Sequence, residues 1–495
     1  MFSPVLNTKP GSKASFFGFS DVQFLGIMLV ISGALYYCLT ESTSTLLVAI
    51  AIPLCLYHRA YIFPMLLTVS LCQGALQEAQ VTGSGTTQDV SYAETLIIAA
   101  LSPILFYDLT TQRSRIIPFR FVIFYAIFFY FVYQGLFVYY QHPENYLRLE
   151  IPSARYAAVL HSIIKSIKIL FYLFFLRVLI NYPAEKNIRM LELTRRFIPF
   201  ILIVLAINLL VNGRSQSGVG YTGTIQMGDA HHGSFTAQLC AMSIYCFITL
   251  FKPKVSIITR GFAFAAIAAV GVSIMLMGSR NGLLSFALVC GIGFFIHLKN
   301  KSLGFQFTMV VLAIIAATIT IILSLNSPTV QRAIYMTETR GGGDRVYYWK
   351  AGAKALSENP VFGMGGDESA SQGAVAAFAP PGVQDKVMHN TYMEMAVEYG
   401  IFGGIFYIIL VVFALTWGYR LYRYALAKKE LVITAPAISY LILMVAAIFI
   451  SDIWDTAIWY NLSMVLALAI QLVYDKYIHK RRVNRRLTYA ESVAM

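Results

Sequence analysis

Charge is what this sequence has least of. Asp, Glu, Lys and Arg make up 13% of its 495 residues, against about 25% in a typical soluble domain. So little charge cannot keep every face of a fold wetted, which excludes a soluble enzyme. The 58% of hydrophobic residues excludes a disordered chain as well. Acidic residues are scarcer than basic ones, 24 against 38, and the net charge is +14. A charge of that sign could serve a nucleic acid, but in a chain this apolar it marks the cytoplasmic loops of a polytopic membrane protein. Cysteine is also scarce. All six (Cys38, Cys55, Cys72, Cys240, Cys246, Cys290) fall in apolar runs and none forms a CxxC pair. Neither a disulfide framework nor a thiolate metal site is expected, and the thiols read as small apolar filler.

Long apolar runs are what the chain does have. A helix needs about 20 residues to cross about 30 Å of hydrocarbon. Fourteen runs are expected to cross, near 22–40, 43–57, 60–76, 92–107, 118–139, 156–181, 197–212, 233–251, 261–278, 282–298, 305–326, 399–418, 432–451 and 462–474. Alternate connections differ sharply in charge. One side carries 25 basic residues, the other ten, and three (Lys165, Lys168, Arg177) lie within a span. The positive-inside rule puts the basic side, with both termini, in the cytoplasm. The first run is long and lacks a small-residue cleavage site, so it is expected to be retained as a helix. The reading is an all-α polytopic bundle forming one integral membrane domain over 1–495. A loop subdomain at 327–398 lies on the outer face, and 475–495 is a basic cytoplasmic tail.

That outer loop is where chemistry is expected, because long ordered loops are usually functional. In it, Val346, Trp349, Ala353 and Leu356 recur at helical spacing behind Asp344, which can cap the helix, and Arg345 lies one turn before Trp349. Pro360-Val361-Phe362-Gly363-Met364-Gly365-Gly366 reads as a tight turn. Then comes His389-Asn390-Thr391-Tyr392-Met393-Glu394. Thr391 and Glu394 have capping-box spacing, predicting a helix from Tyr392. His389 and Asn390 would then sit at a helix N-terminus, a place that favours anions. The same field disfavours imidazolium, so His389 is expected to be neutral near pH 7 and able to act as a base. The plainer alternative is a histidine hydrogen-bonded within its loop.

Three further sites face the same side or the membrane interior. Gly278-Ser279-Arg280-Asn281-Gly282 is a hairpin with almost no loop around its arginine, which must either snorkel to headgroups or point inward to an anion. Between Asn212 and His232 lie Arg214, Asp229, His231 and His232. Adjacent histidines lack the i, i+4 spacing of a helical zinc pair, so no metal is expected. Inside the sixth span, His161, Lys165 and Lys168 share one helix face at a depth where unpaired charge is costly. A hydrated groove near the Arg280 hairpin, holding an anion, is expected there. Carboxylates in the spans are few, Glu94 being the clearest, which supplies a proton-coupled pump poorly. Convergent arginines suit a diphosphate, whose oxygens the guanidinium fork pairs bidentately.

GSRNG at 278–282, Arg345…Trp349, the P-x-x-G-x-G turn at 360–365 and HNTYMEMAVEYG at 389–400, in that order before a Gly-rich span, resemble the O-antigen ligase/Wzy polymerase superfamily. The resemblance implies a GT-C-like glycosyltransferase of the bacterial inner membrane, needing no metal or other cofactor, with its active site facing the periplasm. The donor would be a glycan on undecaprenyl pyrophosphate. Arg280 and Arg345 would hold the pyrophosphate, and His389 would activate the acceptor hydroxyl. Arg214, His232, Lys165, Lys168 and Asn390 would be further anion or acceptor contacts. Partners implied are the lipid-linked donor, a glycan or lipid A-core acceptor, membrane lipids and a chain-length regulator, with no nucleic acid. Fourteen spans favour a polymerase of repeat units over a ligase acting on lipid A-core. A protein O-oligosaccharyltransferase would usually carry a soluble C-terminal domain. A flippase or other transporter is the non-enzymatic alternative, but it would show two similar halves and short loops, and neither is present.

Overall fold

The computed structural model describes residues 21–41, 45–72, 92–112, 114–141, 152–216, 224–226, 232–253, 255–298, 302, 304, 345–365, 373–375, 377–380, 388–450 and 456–474. Hydrocarbon leaves no water for backbone N–H and C=O groups, so each spanning segment must satisfy its own as helix. The described chain does so almost throughout. In order come α1 (Asp21–Glu41), α2 (Thr45–Tyr57), α3 (Ile62–Cys72), α4 (Tyr92–Thr111), α5 (Phe119–Gln141), α6 (Pro152–Asn181) and α7 (Ala184–Asn212). A two-stranded antiparallel hairpin follows, β1 (Arg214–Gln216) pairing with β2 (Thr224–Gln226). Next are α8 (His232–Phe251), α9 (Ile257–Met277), α10 (Arg280–Leu298), α11 (Arg345–Glu358), α12 (Thr391–Lys428), α13 (Ala435–Ala446) and α14 (Thr456–Leu468).

Among the described residues seven helices are long and apolar enough to cross a membrane, and shorter apolar helices accompany them. The protein is thus a polytopic membrane helical bundle. Thirteen of the fourteen expected spans fall on described helices, although α6, which carries 156–181, is not among those seven or the shorter ones, and 305–326 lies outside the described residues. Several helices overrun their apolar run. α7 begins at Ala184 rather than near 197, and α12 begins at Thr391 rather than near 399. Hydropathy marks the apolar length and is blind to the polar turns by which a helix continues past it. Of the described cysteines, Cys38, Cys55, Cys240 and Cys246 are buried in the packing, as filler should be, and Cys290 is half-buried.

Two carboxylates of the bundle are matched with cations. Asp108 on α4 accepts from Arg59 Nε at 3.1 Å and from the Tyr182 hydroxyl, with Lys186 Nζ at 3.9 Å. Glu192 on α7 takes Arg195 Nε at 2.8 Å and the Lys252 ammonium. Orphan carbonyls at the end of α6 are also accounted for. The Gln471 amide donates to Leu179, Ile180 and Tyr182 oxygens at 2.8, 3.1 and 2.8 Å, taking the place of solvent at a helix C-terminus.

One helix is broken, and the break positions the turn at 360–365. Within α12, Gly400 adopts φ 75° and ψ 178°, a conformation essentially restricted to glycine. The carbonyls beside the break take donors from elsewhere. Met364 N–H donates to Val397 O at 2.7 Å, Gly365 N–H to Glu398 O at 3.1 Å, and the Tyr130 hydroxyl to Tyr399 O at 2.9 Å. In return Ile401 N–H donates to Pro360 O at 2.8 Å. The P-x-x-G-x-G turn is therefore stitched into the broken helix. A Cβ on Gly400 would lie 2.1 Å from Val361 O, and one on Gly363 (φ 72°) 2.4 Å from Glu398 O.

Gly400→Ala should destabilise the protein by about 1–3 kcal/mol from backbone conformation alone, with the clash added. Thermal melting in detergent checks this, with Gly291→Ala as control. Nothing lies within 4 Å of a Cβ there, so that variant should match wild type or melt higher. Equal melting of Gly400→Ala and wild type would show that the break does not need glycine.

Candidate functional site

Every residue of the 278–282 hairpin except the arginine has a structural task. Gly278, at φ 64°, ends α9 in the left-handed conformation. Ser279 caps α10, its Oγ accepting from Gly282 N–H at 3.0 Å and lying 2.8 Å from Thr236 Oγ1 on α8. Asn281 Nδ2 reaches Gly233 O at 3.5 Å. Gly282 lets α10 approach α8, since a Cβ there would sit 2.7 Å from the Thr236 side chain. Arg280, the first residue of α10, is left exposed at the helix N-terminus.

Arg345 is likewise the first residue of α11 and is half-buried. Both arginines therefore stand at the positive end of a helix dipole, where a cation is disfavoured by about 0.3–1 kcal/mol. They also repel each other. Burial holds the Arg345 pKa below its ordinary value, and the Arg280 charge lowers it further. Among the described residues neither has a carboxylate partner, although cations elsewhere in the bundle do. The Phe449 ring centroid lies 5.9 Å from the Arg345 Cζ.

α11 packs on α12 and brings His389 to the same place. Trp349 Nε1 donates to Met388 O at 3.2 Å, and the Tyr348 ring lies 6.2 Å from the His389 ring. His389 has φ 51°, in the left-handed region that non-glycine residues seldom occupy. The buried face of α11 is Tyr348, Ala351, Gly352 and Ala355, not the expected Val346, Trp349, Ala353 and Leu356. Val346 is exposed. Ala351, Gly352 and Ala355 let α12 approach closely, with Tyr348 buried beside them, while Trp349 and Leu356 are half-buried and Ala353 is exposed. Asp344 lies outside the described residues.

The N-terminus of α12 also differs from the capping box expected at Thr391 and Glu394. Asn390 is the cap, its Oδ1 accepting from Met393 N–H at 3.1 Å, and the helix begins at Thr391. Thr391 instead ties α12 to the end of α13, donating N–H to Ala447 O at 2.9 Å and Oγ1 to Ile450 O at 2.8 Å. That bond fixes Phe449 beside Arg345, and nothing in the local sequence around 447–450 announced it. With its side chain held by the cap, Asn390 is a structural residue at the edge of the site.

Other expected residues are distributed as follows. His232 opens α8, and the Gly233 carbonyl next to it meets Asn281, so the start of α8 adjoins the start of α10. Arg214 opens β1, opposite Gln226, and β2 packs on α9. The side chains of Arg214, His232, His161 and Lys165 lie outside the described residues, as does that of Glu94. Lys168 is half-buried on α6, whose main packing partners are α4, α5 and α14. α10 packs chiefly on α8 and α13. Among the described residues no group of three or more His, Cys, Asp and Glu side chains could hold a metal ion.

The arrangement can bind a multiply charged anion between two guanidinium groups and three helix N-termini, those of α10, α11 and α12, with an imidazole at its edge. Asn390→Ala should cost about 1 kcal/mol in thermal stability, the usual value of an N-cap, and Asn390→Asp should restore it. If Asn390→Ala melts like wild type, the cap assignment fails.

No curated protein matches the chain. Residues 263–408 match the family model described as O-antigen ligase. That stretch takes in the Arg280 hairpin, α11, the turn docked at Gly400 and His389. With the geometry just described, this match supports the resemblance to the O-antigen ligase/Wzy superfamily.

Proposed function

We propose that this protein transfers a glycan from undecaprenyl pyrophosphate, at the periplasmic face of the bacterial inner membrane, to a sugar hydroxyl of an acceptor. The family supports membrane glycan transfer of the O-antigen ligase or polymerase type. The observation that carries the finer reading is the pair of uncompensated arginines at helix N-termini beside His389. A diphosphate would reverse every unfavourable term there, since it neutralises both guanidiniums, relieves their repulsion and suits the dipole ends.

In the proposed step His389 accepts the proton of the acceptor hydroxyl. The hydroxyl oxygen attacks the anomeric carbon of the donor glycan, and the bond from that carbon to the diphosphate oxygen breaks. Undecaprenyl pyrophosphate leaves, and Arg280 and Arg345 balance the charge that develops on it. No step calls for a metal.

A polymerase, which would add repeat units to a lipid-linked glycan, is the reading preferred here on the number of expected spans. The family description itself, O-antigen ligase, favours a second reading in which the acceptor is lipid A-core. A deletion strain separates them. Lipid A-core carrying a single repeat unit means polymerase, and polymer accumulating on undecaprenyl pyrophosphate means ligase.

His389→Ala should lower transfer by about 10²–10⁴, the usual contribution of a general base, and leave donor binding intact. Turnover close to wild type would remove His389 from the mechanism. Arg280→Ala and Arg345→Ala should weaken both donor binding and rate. Lysine at either position should recover only part of the loss, because the bidentate fork is gone. Normal binding of a lipid diphosphate by both alanine variants would overturn the anion assignment.

A further inference from the structure

The turn at 360–365 leaves the outer loop to reach the break in α12, and two helical rulers show how deep it goes. From Ile401, hydrogen-bonded to Pro360, α12 runs to Arg420, the first residue of its basic end. That is about 28 Å at 1.5 Å per residue. α5 gives an independent measure. Gln134 Nε2 donates to Phe362 O at 2.9 Å, and Arg120 marks the basic end of that helix, about 21 Å away. The two basic ends lie at one level, because the Phe121 ring packs on Trp417 at 5.1 Å and Arg420 lies over that same indole at 4.4 Å. The turn is thus about 21–28 Å from the basic row, within a hydrocarbon slab of about 30 Å.

Its chemistry fits that depth. Irregular backbone is tolerated in hydrocarbon only where the protein satisfies its polar groups. Gly363 N–H donates to Asn359 O at 3.1 Å, and Met364 and Gly365 N–H groups donate to Val397 and Glu398 oxygens. Pro360 O takes Ile401 N–H, and Phe362 O takes a glutamine that is itself 3% exposed. Its side chains do the opposite. Val361 and Phe362 are 46% and 43% exposed, and they continue an exposed, largely apolar surface made by Tyr133 on α5 and by Ile401, Phe402 and Ile405 on α12. Two exposed apolar side chains on a turn whose polar groups are turned inward suit lipid rather than water.

We infer that residues 360–365 form a re-entrant turn, inserted in the leaflet opposite the basic row, with Val361 and Phe362 against lipid acyl chains. The loop that carries Arg345 is then held to the bilayer surface by two anchors, the broken helix and the lipid. This depends on the chain being a membrane bundle and not on which glycan it transfers.

The test is tryptophan fluorescence of Phe362→Trp in phosphatidylcholine vesicles, taken as the difference from wild type, which has four tryptophans. The added emission should be blue-shifted and largely lost when the acyl chains are brominated, with little loss to aqueous iodide. Val361→Trp gives the same reading should the first variant fold poorly. Emission quenched by iodide and not by brominated lipid would put the turn in water and overturn the inference. Emission quenched by neither would show protein covering the pair, and would overturn it too.

Discussion

Backbone hydrogen bonding in a medium without water is the constraint on which the rest of this structure depends. It makes nearly every described element a helix, and it sets terms for the one place where a helix is interrupted. A break at Gly400 inside a span would leave carbonyls bare, at several kcal/mol each in hydrocarbon. Met364, Gly365 and Tyr130 supply the donors. Because those donors come from the 360–365 turn and from α5, satisfying the break also ties three separate parts of the chain together. The turn is placed by this requirement together with a small apolar cluster in which Met364 packs with Tyr348, Ala355, Met388 and Val397.

Charge is handled in two opposite ways, and the contrast locates the site. Asp108 and Glu192 each face more than one cation, and those groups hold helices together. Arg280 and Arg345 are treated otherwise. They stand at the wrong ends of their helices, repel each other and have no carboxylate among the described residues. An arrangement that costs stability in the absence of ligand is intelligible when an anion completes it.

Three elements meet at that point through bonds of quite different range. Trp349 holds the residue before His389, the Asn390 cap starts α12, and Thr391 fastens that start to the end of α13. The left-handed φ of His389 is the local cost of turning the chain between the Trp349 clamp and the cap. The Thr391 bonds to Ala447 and Ile450 hold the segment that carries Phe449 beside Arg345.

Much of the candidate site was legible in the sequence. An arginine in a hairpin with no loop around it, an arginine one turn before a tryptophan, and a histidine ahead of a polar helix start are local patterns. The class of fold was legible too, since scarce charge and long apolar runs leave a membrane bundle as the outcome. Details that depend on a partner at long range were not. Thr391 has the spacing of a capping residue, yet Asn390 took the cap because the Thr391 hydroxyl had Ile450 O within reach. The buried face of α11 followed the closeness of α12, which favours Ala and Gly, and not the hydropathy of α11 itself. The turn at 360–365 was recognisable as a turn, but only packing could show that its N–H groups complete another helix. Local sequence determined which segments are helical and where cations stand against the dipole, because those effects act within a few residues. Tertiary structure decided which caps, faces and carbonyls found partners, because each of those choices compares a local bond with one supplied from elsewhere in the chain.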